Sequence, residues 1–247
     1  MPGGVVGAAM RAVDWPPPLA IAAPRIGQAR PLGPNGRLSA IDKHAVHGPL
    51  WLDALGLRGD EQADRRVHGG VDKALHYFPA EHYRSLAAED PGLRLAVGDF
   101  GENLSGLGLL EQDVCLGDVF ALGPCRVQLS QGRQPCWKLN VRFARPDMAR
   151  RVQDSGRVGW YFRVLQPGWL QAGDMLQLLA RPWPDSQLAR VLRALNQANV
   201  AADERLAVAA LPGVPPRWRE RLLAQAAHGH REDAARLDVP AGQHDAP

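Results

Sequence analysis

Gly117-Asp118-Val119-Phe120-Ala121-Leu122-Gly123-Pro124-Cys125-Arg126-Val127-Gln128-Leu129 holds two short runs hinged on a Gly-Pro turn. Residues 119–122 are apolar, and residues 126–129 alternate polar with apolar side chains. Alternation puts one set of side chains on each face of a pleated chain, so the stretch predicts two strands joined tightly. The same punctuation recurs outward. Residues 93–97 precede Gly98-Asp99, residues 114–116 precede Gly117-Asp118, and Gly173-Asp174 leads into another apolar run. From about residue 19 to 179 the chain thus predicts a mainly β, barrel-like or sandwich domain with a few helices. One such helix is predicted over 79–88, with proline in its first turn.

After Arg181-Pro182-Trp183-Pro184 the texture changes. Asp185 or Ser186 can cap a helix in which Leu188, Val191, Leu192 and Leu195 recur at i, i+3, i+4 and i+7. Further helices are predicted over 203–210 and 217–227, the last with Trp218 and Leu222 on one face. Helices this short need one another to bury their apolar stripes. The predicted organisation is an N-terminal extension (1–25), the β domain (26–181), a small three-helix module (185–228) and a flexible tail (229–247).

Composition narrows the function classes. The 247 residues are 45% hydrophobic and 22% charged, with a formal charge of +3, the profile of an ordinary globular chain. No Lys/Arg run carries interleaved aromatics, which argues against nucleic-acid binding. No stretch reaches the roughly 20 apolar residues of a membrane span, and residues 1–10 lack the basic start of a secretory signal. Three cysteines, an odd number with no Cys-x-x-Cys pair, make neither a disulfide framework nor a zinc site. The expectation is a cytoplasmic protein.

Four patches can carry chemistry. Lys43, ending Ser39-Ala40-Ile41-Asp42-Lys43, is a solvated side chain or a cation aimed at a phosphate. His68 stands before Gly69 and Gly70, so a titratable ring sits beside backbone that a ligand can approach closely, or in a plain turn. Asn103, in Gly101-Glu102-Asn103-Leu104, is a turn residue or a two-ended hydrogen-bonding amide. Cys136, in Arg133-Gln134-Pro135-Cys136-Trp137-Lys138, lies between cations that favour the thiolate, the form that attacks and binds metal. Cys115 and Cys125 sit in apolar runs, where cysteine acts as a small hydrophobe.

Ser39-Ala40-Ile41-Asp42-Lys43, Gly59-Asp60-Glu61-Gln62, Val67-His68-Gly69-Gly70-Val71-Asp72-Lys73-Ala74, Gly101-Glu102-Asn103-Leu104 and Arg133-Gln134-Pro135-Cys136 stand in one order along the chain. In that order they resemble the MOSC domain, the module shared with the C-terminal part of molybdenum-cofactor sulfurases. The resemblance covers about residues 26–227 and extends to the YiiM-like branch, which adds a three-helix (3-alpha) module. It implies a β-barrel-like fold holding a molybdopterin-type molybdenum cofactor. For that branch it also implies reduction of N-hydroxylated compounds, including base analogues such as 6-hydroxylaminopurine, a detoxification. At the level of the family alone it carries pyridoxal phosphate binding.

The lysine–histidine–cysteine set associated with the branch falls on Lys43, His68 and Cys136. On this reading Cys136 meets the metal, His68 supplies a proton, and Lys43 and Arg133 hold phosphate or substrate. Asn103, Gly69, Gly70, Gln134 and Lys138 add cofactor contacts. No flavin, haem or iron–sulfur pattern is visible, so a separate reductase is expected as electron donor. The three-helix module is a docking surface, a homodimer contact or a lid. Two other readings stand beside this one: a sulfur carrier with a persulfide on Cys136, and a non-catalytic cofactor-binding module.

Overall fold

The computed structural model describes residues 15–33, 36–64 and 69–240. The strands in chain order are β1 (Leu19–Ala20), β2 (Arg25–Ile26), β3 (Arg30–Leu32), β4 (Arg37–Ser39), β5 (His44–Ala45), β6 (Leu50–Asp53) and β7 (Gly56–Leu57), followed by β8 (Leu75–Tyr77), β9 (Val119–Leu122), β10 (Cys125–Gly132), β11 (Trp160–Gln166), β12 (Gly168–Leu170) and β13 (Met175–Ala180). Six of them form one antiparallel sheet in the order β1-β13-β9-β10-β11-β8. A three-stranded sheet, β12-β6-β7, and the ribbons β2-β5 and β3-β4 complete a half-barrel. Helix makes up 28% and strand 24%, so the β framework carries more helix than the sequence expectation of a few.

The helices are α1 (Glu81–Glu89), α2 (Lys138–Phe143), α3 (Met148–Ser155), α4 (Leu188–Asn196), α5 (Ala202–Ala210), α6 (Pro216–His228) and α7 (Ala234–Leu237). None among the described residues is long and apolar enough to cross a membrane. Helices α2 and α3 were not foreseen. Their stretch reads as polar, because only Leu139, Asn140, Met148, Ala149, Val152 and Gln153 are buried.

Residues 117–129 form the predicted hairpin. Cys125, Val127 and Leu129 point inward from β10, while β9 and β11 flank it on either side. Beside them Trp160 stacks on Tyr77 at 4.6 Å between ring centroids. Fully burying each such aliphatic or aromatic side chain contributes about 1.5–3 kcal/mol. The β10–β11 register shifts between Leu129 and Gln131, a bulge that bends the strand end and re-aims the chain towards Arg133.

Two expected strands are absent. Residues 114–116 make no strand but a single antiparallel bridge, Cys115 to Gln187, while the Asp118 carboxylate accepts the Cys115 N–H at 2.9 Å. Residues 93–97 are likewise irregular, with the Ala96 N–H donated to Asp99 Oδ2 at 2.7 Å.

The three C-terminal helices form where the periodicity predicts them. Leu188, Val191, Leu192 and Leu195 are buried. Gln187 takes the N-cap position expected of Asp185 or Ser186, and the Ser186 hydroxyl instead donates to Pro212 O at 2.8 Å. A Cβ added at Gly132 would lie 2.9 Å from Leu192 and 3.1 Å from Leu188, so α4 packs directly on the end of β10. Trp183, in the linker, fills the space between two turns. A Cβ on Gly117 or Gly213 would come within 2.4 or 2.6 Å of its ring.

The first and last described segments are more engaged than expected. β1, placed in an extension, pairs with β13. Of the stretch expected to be flexible from residue 229, the part up to residue 240 carries α7, and residues 241–247 lie outside the described residues. Leu237 is buried, Trp137 N–H donates to Arg236 O at 2.8 Å, and Asn140 Nδ2 donates to Leu237 O at 2.8 Å.

Candidate functional site

The bulged end of β10, the turn before α2, strand β8 and the segments holding Lys43, Asp60 and Asn103 enclose one cavity. It has about 670 Å³ of free space, counting its open mouth. Cys136 sits at this turn, half-buried, two residues before α2. Burial lowers the pKa of Lys73 and Lys138, and the charge of Cys136 acts in the opposite direction on both. Lys73, Lys138 and Cys136 thus line one cavity and interact electrostatically. The turn itself is held by Arg236, which donates to Pro135 O and, at 2.5 Å, to Gln153 Oε1.

One wall is a closed hydrogen-bond network. The buried Lys43 ammonium is paired with Asp60 Oδ1, which also accepts the Gly27 N–H at 2.8 Å. Asp60 Oδ2 accepts from Asn103 Nδ2 at 2.8 Å. The same amide nitrogen donates to Arg25 O at 3.0 Å, while Asn103 Oδ1 accepts the His76 N–H at 3.0 Å. Asn103 therefore spends both its N–H groups inside the protein and positions β8 instead of offering a free donor. Lys43 has its pKa lowered by burial, with Asp60 opposing the shift, and it too is committed.

The other wall is incomplete at two atoms. Arg133 is 6% exposed, and its Nη1 is shielded from water without a partner. Its backbone N–H donates to Gly159 O at 3.0 Å, and its side chain also hydrogen-bonds Tyr161. His76, 4% exposed on β8, has an equally shielded and unpartnered Nε2. Burial, reinforced by the Arg133 charge, holds the His76 ring well below the usual histidine pKa, so it is neutral at neutral pH. Buried polar atoms without partners are costly, and these two belong to residues that line the same cavity. Tyr161 lies beside Arg133, its hydroxyl pKa raised by burial.

Of the residues singled out from sequence, Lys43, Asn103, Arg133, Gln134, Cys136 and Lys138 line this cavity. His68 lies outside the described residues. Gly69 lines an adjoining cleft, and Gly70 opens the 3-10 turn Val71–Lys73 outside the cavity lining. The cavity histidine among the described residues is His76. It was missed together with Asp60, Lys73 and Tyr161, though a titratable ring within Leu75-His76-Tyr77-Phe78 is a legible anomaly in an apolar strand. Among the described residues no three His, Cys, Asp or Glu side chains cluster as a metal site.

The MOSC domain profile matches residues 64–177; MOSC domains bind the molybdenum cofactor. The chain is 48% identical over 150 residues to Protein YiiM of Escherichia coli, covering 60% of this chain and 67% of that one. It is 39% identical over 166 residues to a Gibberella moniliformis protein named Reductase, covering 66% of this chain but only 29% of that longer protein. The crystal structure of YiiM from Geobacillus stearothermophilus superposes with a TM-score of 0.69 at 32% identity, over 84% of this chain and 99% of that one. Cysteine, buried arginine and half-barrel thus stand in a known setting: the chain belongs to the MOSC domain family, in its YiiM-like branch.

Proposed function

We propose that this protein is a molybdenum-cofactor-dependent reductase of N-hydroxylated compounds, with Cys136 at the metal. The observation that carries the reading is the pairing, in one cavity, of a half-buried thiol with two buried polar atoms that have no partner, Arg133 Nη1 and His76 Nε2. These residues fit the cofactor. A lone thiolate is a poor metal site by itself but a suitable soft ligand for a metal already held by a dithiolene scaffold. The Arg133 guanidinium suits an anionic phosphate, which it can grip bidentately. When bound, the cofactor supplies the two-electron redox couple.

The reduction converts R–NH–OH, two electrons and two protons into R–NH2 and water, breaking the N–O bond. The chain's own residues handle position and protons. His76, neutral and in the cavity lining, orients the N–OH group by hydrogen bonding rather than by charge. Lys73, acidified by burial and by the Arg217 charge, suits proton delivery to the departing oxygen, a role the sequence reading assigned to His68. Lys43, held by Asp60, and Asn103 keep the opposite wall rigid. The electrons come from a separate reductase as partner. The relative named Reductase is a longer protein, and reduction is the activity its name carries.

The test uses protein purified from a host that makes the cofactor, wild type beside Cys136→Ala. Molybdenum, pterin and turnover of 6-hydroxylaminopurine with a chemical electron donor are measured on both. We expect stoichiometric metal and turnover in wild type and loss of both in the variant. Turnover retained by Cys136→Ala would overturn the role of Cys136, and a metal-free, inactive wild type would overturn the reading itself.

A further inference from the structure

A second cleft opens beside the cavity, between the β domain and the three-helix module, with about 1590 Å³ of free space counting its mouth. The two share Lys73, Gln134, Cys136 and Tyr161 as a common wall, so a single molecule can occupy both. The far wall is the start of α6, carrying Arg217 and Arg221 one turn apart.

The charges there are out of balance. The cleft's carboxylates are already engaged: Asp72 pairs with Arg163 at 2.9 Å and Asp233 with Arg236 at 3.2 Å. Arg236 is further committed to Pro135 O and Gln153 Oε1. Among the described residues neither Arg217 nor Arg221 forms an ion pair, and Arg221 Nη2 is shielded from water without any partner. The cations also crowd one another. After burial, Arg217 is the largest influence lowering the Lys73 pKa, and Arg236 the largest lowering that of Arg221. Like charges gathered this closely cost stability, and a bound anion relieves that cost. The amino end of the 13-residue α6 faces the same cleft and adds its positive dipole.

We infer that this cleft is a phosphate subsite and that the substrate is a phosphate monoester, an N-hydroxylated nucleotide and not only the free base. The inference rests on the reductase reading for the reacting end alone. Two guanidiniums beside an ammonium match the three oxygens of a dianionic phosphate, whereas a carboxylate would use one guanidinium. The cations lie in a recess shared with Cys136, which suits a small molecule more than the surface of an acidic protein. Arg133, in the first cavity, is the guanidinium left for the cofactor's own phosphate.

The experiment measures binding of adenosine 5′-monophosphate and adenosine to wild type and to Arg217→Gln/Arg221→Gln by calorimetry, with and without bound cofactor. The expected result is a wild-type preference for the nucleotide of at least about tenfold, the order of one or two charge-assisted contacts, and loss of that preference in the double variant. The single variant Arg217→Glu, at an exposed position, should shift affinity the same way if the double variant does not fold. Equal affinity for nucleotide and nucleoside in wild type, or a preference that survives both substitutions, would overturn the inference. Loss of nucleotide binding on cofactor loading would give the cleft to the cofactor's phosphate and overturn the substrate assignment. Turnover of 6-hydroxylaminopurine by the loaded wild type reports separately on the reductase reading, because the free base carries no phosphate.

Discussion

Arg133 and Arg205 are both buried arginines, one in the cavity of the half-barrel and one inside the three-helix module, and they are treated in opposite ways. Arg205, 2% exposed, donates to Ala194 O, to Gln197 O at 2.6 Å and to Gln225 Oε1 at 2.9 Å, closing the end of α4 onto α6. Arg133, 6% exposed, has a shielded Nη1 with nothing to donate to. A buried cation whose hydrogen bonds are complete holds structure together, while one left incomplete lowers stability in exchange for a ligand site. The difference separates a scaffold from a binding wall more sharply than burial alone.

The comparison can be broken by substitution. Arg205→Ala should cost about 3 kcal/mol, because carbonyls at the end of α4 lose a charged donor and a cavity opens. A chemical denaturation curve measures it, and a change below about 1 kcal/mol would show that water replaces the guanidinium without loss.

His76 sharpens the contrast through pH. Its folded pKa lies below the ordinary 6.5, so the ring binds fewer protons folded than unfolded. That stability is fully present above the unfolded value and is lost as pH falls from 6.5 towards the folded value. Over that window wild type should lose about 1.4 kcal/mol per pH unit more than His76→Gln. Parallel stability–pH curves for the two proteins would mean that His76 is not buried neutral.

The smallest stability effect belongs to Arg133→Met. It removes an unsatisfied buried donor, so stability should change by no more than about 1 kcal/mol, or rise, while retention of the cofactor's phosphate weakens ten- to a hundredfold. Thermal melts and pterin content of purified protein read the two effects. A large loss of stability with pterin unchanged would make Arg133 a second Arg205.

Much of the scaffold was legible. The Val119–Leu122 and Cys125–Gly132 hairpin and the three C-terminal helices declare themselves through periods of two and of 3.6. The strand expected at 93–97 gives way to a local bond from Asp99 to the backbone, and that at 114–116 shrinks to one bridge beside Asp118, interactions that leave no trace in hydrophobicity. Cys136, Arg133 and Lys43 were legible as members of one motif set. The duty of Asn103 was not, since an amide that braces and an amide that binds look alike until its partners are known.

By itself the sequence determined the mainly β class, the C-terminal helices and the order of the motifs that include Cys136. Periodicity, turn residues and charged flanks are local properties, written in neighbouring residues. Tertiary structure alone decided which histidine among the described residues enters the cavity, which cations are spent on partners, and that the tail braces the turn bearing Cys136 through Arg236. Those outcomes depend on whether a partner distant along the chain arrives within hydrogen-bond reach. Lys43 meets Asp60, whereas Arg133 Nη1 meets none.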